Sequence, residues 1–242
     1  ETDNGQEIHI QTNLKSIKTT LHDYQLIEDQ EEMNRICDFF RTKQILSLDT
    51  ETTSTHPIDA ELVGLSFSTK EKQAFYIPIP DNREKAKKIV NIFKPVYEDP
   101  NILKVGQNIK YDYEVLKNYG VEIKGKMFDT MIAHYLIQPE LRHNMDYMAE
   151  IYLNYHTVHI DELIGPKGKK QKNMRELLPK EVYEYAAEDA DITLQLKNVL
   201  EPKLKELELE DLFWKIEMPL VPVLADMEMT GVRLDTKVLK ET

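Results

Sequence analysis

A chain of 242 residues with 41% hydrophobic side chains can build one large domain, or one domain with appendages, and is too apolar to remain unfolded. It holds no apolar run of bilayer-spanning length and no signal-peptide pattern, and its single cysteine, Cys37, excludes an internal disulfide and a cysteine-built zinc cluster, so a reducing, intracellular setting is expected. A formal charge of −12 argues against coating nucleic acid by charge attraction alone, but not against gripping a short single strand through stacking and bound cations.

Residues 1–24 are polar, with scattered threonines and lysines, and read as an extended leader. Over 25–42 the positions Leu26, Met33, Ile36, Phe39 and Phe40 fit one face of a helix with acids early in it. The period then shortens. ILSLDTET (45–52) is an apolar run ending in charges, as a buried strand emerging at a sheet edge would be. LVGLSFST (62–69) and QAFYIPI (73–79) are two further strands, and the polar KEK between them predicts a hairpin.

Ala86, Ile89, Val90 and Phe93 set one face of a helix over 83–97, and ILKVG (102–106) is a short strand. NIKYDYEVLKNYG (108–120) is a helix closed by Gly120. Helical patterns follow at 130–138, with Asp129 suited to the N-cap, and at 144–153. Residues 164–175, IGPKGKKQKNMR, break the pattern and read as an exposed basic loop; its KGKKQK core (167–172) is either a solvated charge run or a guide for a strand. The longest helix is expected over 180–207, opened by Pro179, and a last one over 211–229 is interrupted by Pro219 and Pro222 before GVRLDTKVL. Strands early and helices late predict an α/β fold, a mixed central sheet with flanking helices.

Asp49 and Glu51 stand two apart on a strand and therefore share a face. Two carboxylates side by side at the end of a buried run repel unless something positive lies between them, and hard oxygen ligands suit magnesium or manganese. Two solvated acids at a polar strand end are the simpler alternative. Asp112 sits among Ile109, Tyr111, Val115 and Leu116, where a structural hydrogen-bonder would also fit. Tyr185 and Asp189, four residues apart, share a helical face with Leu178, Val182 and Ile192 and should point inward; taken alone, a buried Tyr–Asp hydrogen bond explains them. Glu188 and Asp191 should face away from Asp189. The seven histidines show no metal-ligand spacing, and the three within 134–156 read as surface or loop residues.

Taken together and in order, SLDTET, GQNIKYDYEVL and YEYAAEDADITLQL resemble the three exonuclease motifs of the proofreading domains of bacterial family A DNA polymerases. The resemblance continues through VGLSF, YIPI, KVGQN, NYGVE, FDTMIAHYL and IEMPLVPVLADMEMTGVRLD, so it covers nearly everything from about residue 25 to the end. It implies a ribonuclease H-like exonuclease fold over 25–208, preceded by the leader over 1–24 and followed over 209–242 by the helical start of a truncated polymerase domain. By the same resemblance Asp49, Glu51, Asp112 and Asp189 hold two divalent cations, magnesium or manganese, with zinc able to take one place. Tyr185 is the water-orienting tyrosine of the tyrosine subclass. Gln107, Asn108 and Tyr111 line the cleft for the terminal nucleotides, and Arg142 contacts phosphate. Two positions depart from the family pattern: Thr55 stands where relatives place an apolar wedge, and Ile160 where some carry phenylalanine.

The implied function is hydrolysis of the 3′-terminal phosphodiester of single-stranded or frayed DNA, releasing nucleoside monophosphates, with no polymerase activity in this fragment. The implied partner is the polymerase domain of the same full-length chain, and the implied setting is a monomer, off the membrane, in the bacterial cytoplasm near the nucleoid. Two alternatives stay open: an exoribonuclease of the RNase D type, which shares the four acids and the tyrosine, and a non-catalytic domain that only supports a polymerase.

Overall fold

The computed structural model describes residues 14–166, 168 and 171–241. Most of the expected leader, residues 1–13, lies outside them, as do Lys167, Lys169 and Lys170 of the basic loop. The sheet begins earlier than expected, with β1 (Asp23–Leu26), and the first helix, α1 (Gln30–Arg41), starts only after Asp29, whose carboxylate accepts the amides of Glu31 and Glu32. Leu26 therefore belongs to an edge strand rather than to a helix face. A local helical period could not reveal this, because β1 exists through its parallel ladder with a strand some fifty residues away, Leu26 opposite Tyr76.

The centre of the fold is an antiparallel meander of β2 (Ile45–Thr52), β3 (Leu62–Lys70) and β4 (Gln73–Pro78). The hairpin expected at KEK is present, and Lys72 takes a positive φ of 65° in the turn. Two parallel strands, β5 (Leu103–Gly106) and β6 (Met127–Asp129), extend the sheet beyond β2, so the described residues form a six-stranded mixed sheet ordered β1-β4-β3-β2-β5-β6. β3 is buried from Leu62 through Ser68, which is why it reads as a nearly continuous apolar run: helices cover both of its faces.

Register decides which side chains meet which helices. Leu48, Phe67 and Phe75 lie across from one another, and the Phe40 ring of α1 packs on both phenylalanines, with Phe93 of α2 (Arg83–Tyr97) against Phe67. The opposite face carries Asp49 across from Ser66, which is across from Tyr76, and Glu51 across from Gly64. Val63 and Tyr76 pack with Val182 and Ala186 of the long helix α7 (Pro179–Glu206) on that face. Gly64 is required here: a Cβ on it would lie 2.1 Å from Cε2 of Tyr76, whose ring is buried over it beside Glu51. Gly64→Ala should therefore destabilise the protein by about 1–3 kcal/mol, the usual cost of overpacking, with a thermal midpoint lowered by roughly 2–4 °C per kcal/mol. Thermal unfolding of the variant checks this, and an unchanged midpoint would contradict the packing described.

On the far side of the sheet from its β1 edge, α3 (Ile109–Lys117) and α4 (Thr130–Ile137) follow β5 and β6. α3 stops at Lys117, and Gly120 (φ 82°) turns the chain away three residues later. His134 was expected at the surface but is fully buried, its Nδ1 2.8 Å from Nδ1 of His143, because α4 packs its His134 face onto α7. After α5 (Met145–Met148) and α6 (Ile160–Ile164), α7 opens with Pro179 at its first position, as expected. Beyond α8 (Glu210–Leu212), a wide π turn (Phe213–Glu217) precedes Pro219, whose missing amide interrupts the α-helical ladder there; α9 (Met218–Thr230) and α10 (Thr236–Glu241) follow. This tail is docked on the sheet side: Phe213 stacks on Phe128 of β6 at 4.8 Å, and Lys110–Glu228 and Lys117–Asp226 ion pairs join α3 to α9. No helix among the described residues is long and apolar enough to cross a membrane.

Candidate active site

Strand alternation turns Asp49 and Glu51 toward α7, while Thr50 between them points the other way. On α7, Ala186, Ala187 and Ala190 are fully buried, and these small side chains let the helix approach the sheet closely enough for Asp189 to reach it. Ligand-capable oxygens of Asp49, Glu51 and Asp189 all lie within 4.8 Å of one another. Asp49 is half-buried, whereas Glu51 and Asp189 are 6% and 7% exposed, too little for water alone to hydrate their charges.

Asp112 joins this group from one step behind. It is not among the three converging carboxylates; its Oδ1 accepts a 2.6 Å hydrogen bond from Thr50 Oγ1. Its influence is electrostatic. Burial, and then the charge of Asp49, push the Asp112 carboxyl well above the usual carboxylate range, and Asp112 in turn helps to raise Glu51. Burial and the neighbouring acids raise Glu51 and Asp189 likewise, and burial pushes Asp49 up to about 6. No basic side chain among the described residues helps to hold any of the four ionised.

This arrangement fits a hard divalent cation. Glu51 Oε1 and Asp189 Oδ1 are buried without a hydrogen-bond partner, which costs free energy unless a positive charge satisfies them. The donors are all carboxylate oxygens, the set that magnesium and manganese prefer. Tyr185 stands one turn before Asp189; burial and the charges of Asp189, Glu51 and Asp49 push the phenol upward, so it stays a neutral donor. Leu178 was expected on the same inward face but is exposed, because it precedes Pro179 in extended conformation outside the helix.

A cleft of about 590 Å³ opens beside the carboxylates, bounded on one side by Thr50–Thr55, Asn108 and Tyr111 and on the other by Ile160, Ile164, Gln171–Met174 and Glu176. Thr55 and Ile160, expected to depart from the family pattern, both line it. Asn108 holds a left-handed backbone (φ 59°) at the start of α3, a conformation asparagine tolerates. Tyr111 is fixed by its hydroxyl, which donates to the Ser54 carbonyl and also meets Thr52 Oγ1.

Gln107 and Arg142 do not line the cleft. The Gln107 amide donates to the His143 carbonyl at 2.8 Å and its oxygen meets Thr130 Oγ1, so it ties down the loop on which Arg142 stands exposed. Asp129 is a cap for two helices at once, accepting the amides of Met131 and Ile132 in α4 and those of Asn108 and Ile109 at the start of α3. Glu188 and Asp191 are turned elsewhere: Glu188 accepts Tyr155 Oη and the Val158 amide, and Asp191 accepts Tyr24 Oη and the Lys72 amide. Sequence reasoning missed Thr50; its place between the two acids on the opposite strand face was the one available signal.

Comparison with known proteins agrees with this geometry. Residues 24–205 match the family model described as 3′-5′ exonuclease. The chain is 36% identical over 228 residues to DNA polymerase I of Pseudomonas aeruginosa, covering 90% of this chain and 25% of that protein. It is 35% identical over 231 residues to DNA polymerase I of Borreliella burgdorferi, covering 94% and 25%. The chain thus spans about a quarter of the length of the curated relatives it matches. Among solved structures, the POL domain of Pol1 from M. smegmatis in complex with DNA primer-template and dNTP superposes with a TM-score of 0.71 at 19% identity, covering 90% of this chain and 34% of that one. Escherichia coli RNase D does so with a TM-score of 0.68 at 20% identity, covering 85% and 51%. Those two likenesses show the fold, a ribonuclease H-like exonuclease sheet. The sequence match and the carboxylate-lined cleft carry the rest: this chain belongs to the 3′–5′ exonuclease family of the family A DNA polymerases.

Proposed function

We propose that the chain removes nucleotides one at a time from the 3′ end of single-stranded or frayed DNA, as the proofreading module of a longer polymerase in the bacterial cytoplasm. The observation that carries this reading is the convergence of Asp49, Glu51 and Asp189, with two buried oxygens lacking partners, at the edge of an open cleft. Asp49, Glu51 and Asp189 would hold one divalent cation, and Asp49 with Asp112 a second. Bound there, the cations supply Lewis-acid stabilisation of the charge developing on the scissile phosphate and make water a better nucleophile near neutral pH.

The chain's own residues do the positioning. Thr50 keeps Asp112 oriented, with one carboxylate oxygen already engaged. Tyr185, kept neutral by burial and its acidic surroundings, would donate a hydrogen bond from its hydroxyl and so orient a water molecule rather than deprotonate it. Tyr185→Phe should therefore lower kcat by about 10- to 100-fold, the worth of one hydrogen bond to a charged partner, with KM little changed. Steady-state kinetics on a labelled oligonucleotide check this; a loss of kcat as large as that of a missing carboxylate would mean that Tyr185 does more than position.

DNA is favoured over RNA because the relatives near 35% identity are DNA polymerases, whereas RNase D shares the fold at 20%. Residues 25–208 form the nuclease unit in this reading, and 209–242 begin the polymerase domain. The exposed apolar side chains Ile216, Val223 and Met227 near and on α9 support a continuation that packs there. Purified protein incubated with manganese or magnesium and 5′-labelled single strands should shorten DNA stepwise, releasing mononucleotides, faster than RNA of the same sequence. Faster loss of RNA would favour an exoribonuclease, and no release with either cation would favour a passive scaffold.

A further inference from the structure

One wall of the cleft is built from Ile160, Ile164, Gln171–Met174 and Glu176, and most of these belong to the stretch 164–175 expected to be an exposed basic loop. Its end is not loose. Met174 is 4% exposed and packs with Val63, Tyr76, Val182 and Ala186. The side-chain Nδ2 of Asn173 donates to the Thr53 carbonyl at 3.1 Å. Arg175 turns inward, its Nη1 donating to the Ile79 carbonyl and its Nη2 to the Leu62 carbonyl, while its Nε is buried without a partner. No acidic side chain among the described residues forms an ion pair with this guanidinium.

The two carbonyls sit at a telling place. Leu62 opposes Thr52, immediately past the irregularity in the β2–β3 ladder that follows Glu51, and Ile79 continues β4, its amide bonded to the Val63 carbonyl. Arg175 thus ties together the ends of two strands with one planar fork, and one of those ends is paired with the residue that follows Glu51. We propose that Arg175 is a positioning residue that fixes the cleft wall relative to Glu51 and so sets affinity for a single strand and discrimination against a duplex. A guanidinium can serve two carbonyls in fixed directions, whereas a lysine ammonium on a flexible stem keeps the charge but not the paired geometry. Because this inference rests on the nuclease reading, its test must be separable from that reading.

The test compares wild type with Arg175→Lys and Arg175→Gln. Both should raise KM for a single-stranded DNA substrate by about tenfold with a smaller fall in kcat, and should narrow the single-strand over duplex preference, the loss expected when a pair of fixed hydrogen bonds is released. Amide exchange over 171–176 should quicken while β2 keeps its protection. Asn173→Ala, which cuts the other tie of the same wall, should move KM in the same direction even if an Arg175 variant fails to fold. Binding of a 3′-hydroxyl single strand in EDTA, followed by fluorescence anisotropy, should weaken in parallel. That measurement and the exchange need no catalysis, so an inactive wild type would defeat the nuclease reading without deciding this one. Wild-type KM in Arg175→Lys, or a raised KM with unchanged exchange over 171–176, would overturn the proposal.

Discussion

Asp189→Ala is expected to lower metal-dependent 3′-end hydrolysis by at least about a thousandfold while leaving the protein folded, because under the proposed function it removes a charge-bearing ligand from a site that works by charge stabilisation. Asp189 lies on the buried face of α7 with its Oδ1 unpartnered, so alanine there breaks no hydrogen bond of that atom. The same change also removes a carboxyl that burial and the charges of Asp49 and Glu51 raise well above its ordinary value. The cation-free variant should accordingly unfold at a temperature no lower than the cation-free wild type. Initial rates on a labelled single strand with magnesium, alongside thermal unfolding in EDTA, test both halves. Full nuclease activity in the variant would remove Asp189 from the site, and a collapsed thermal midpoint would make it a structural residue instead.

The second large effect is a coupling of stability to cations and pH. Without cations the folded protein should be more stable near pH 5 than near pH 8. Asp49 is raised from 3.8 to about 6, and Glu51, Asp112 and Asp189 are raised well above their ordinary values. The folded state therefore binds protons more tightly than the unfolded chain, and the stability they contribute is fully present below about pH 4 and is lost as pH rises through the folded values. Asp129 at about 6 and Glu114 at about 7, both raised mainly by burial, act in the same direction, while buried His134, lowered by burial, acts against it. The difference between cation-loaded and cation-free protein isolates the cluster. Magnesium or manganese at about a hundred times its dissociation constant should add about 2.7 kcal/mol, roughly 5–10 °C in a domain of this size, and more at pH 8 than at pH 5, since a cation must displace the protons. A cation-free midpoint that climbs from pH 5 to pH 8, or one that cations leave unmoved, would show that these carboxylates do not form a cation site.

The parts of the site legible in advance were those governed by short-range periodicity. Strand alternation pairs Asp49 with Glu51, and the helical repeat stacks Tyr185 one turn before Asp189; both follow from backbone geometry that no distant residue can change. The hairpin at KEK, the cap at Asp129 and the opening of α7 at Pro179 were readable for the same reason, since turn and cap chemistry is local. Other residues were misread where the partner is remote. Leu26 is in a strand because β4 lies beside it, and His134 is buried because α4 packs on α7.

Periodicity along the chain thus placed acids on one strand face and one helix face of an α/β fold, and the resemblance of three ordered motifs to known exonucleases implied a nuclease. Only the tertiary structure decided that Asp49, Glu51 and Asp189 share a space small enough for one cation, that Asp112 stands behind them on Thr50, and that Arg175 points inward from a stretch written as a basic loop. The physical reason is that side-chain direction follows from local backbone repeat, whereas distance between elements follows from packing: three buried alanines on α7, a glycine at 64 and a guanidinium bridging two strand ends set separations that no spacing along the chain encodes.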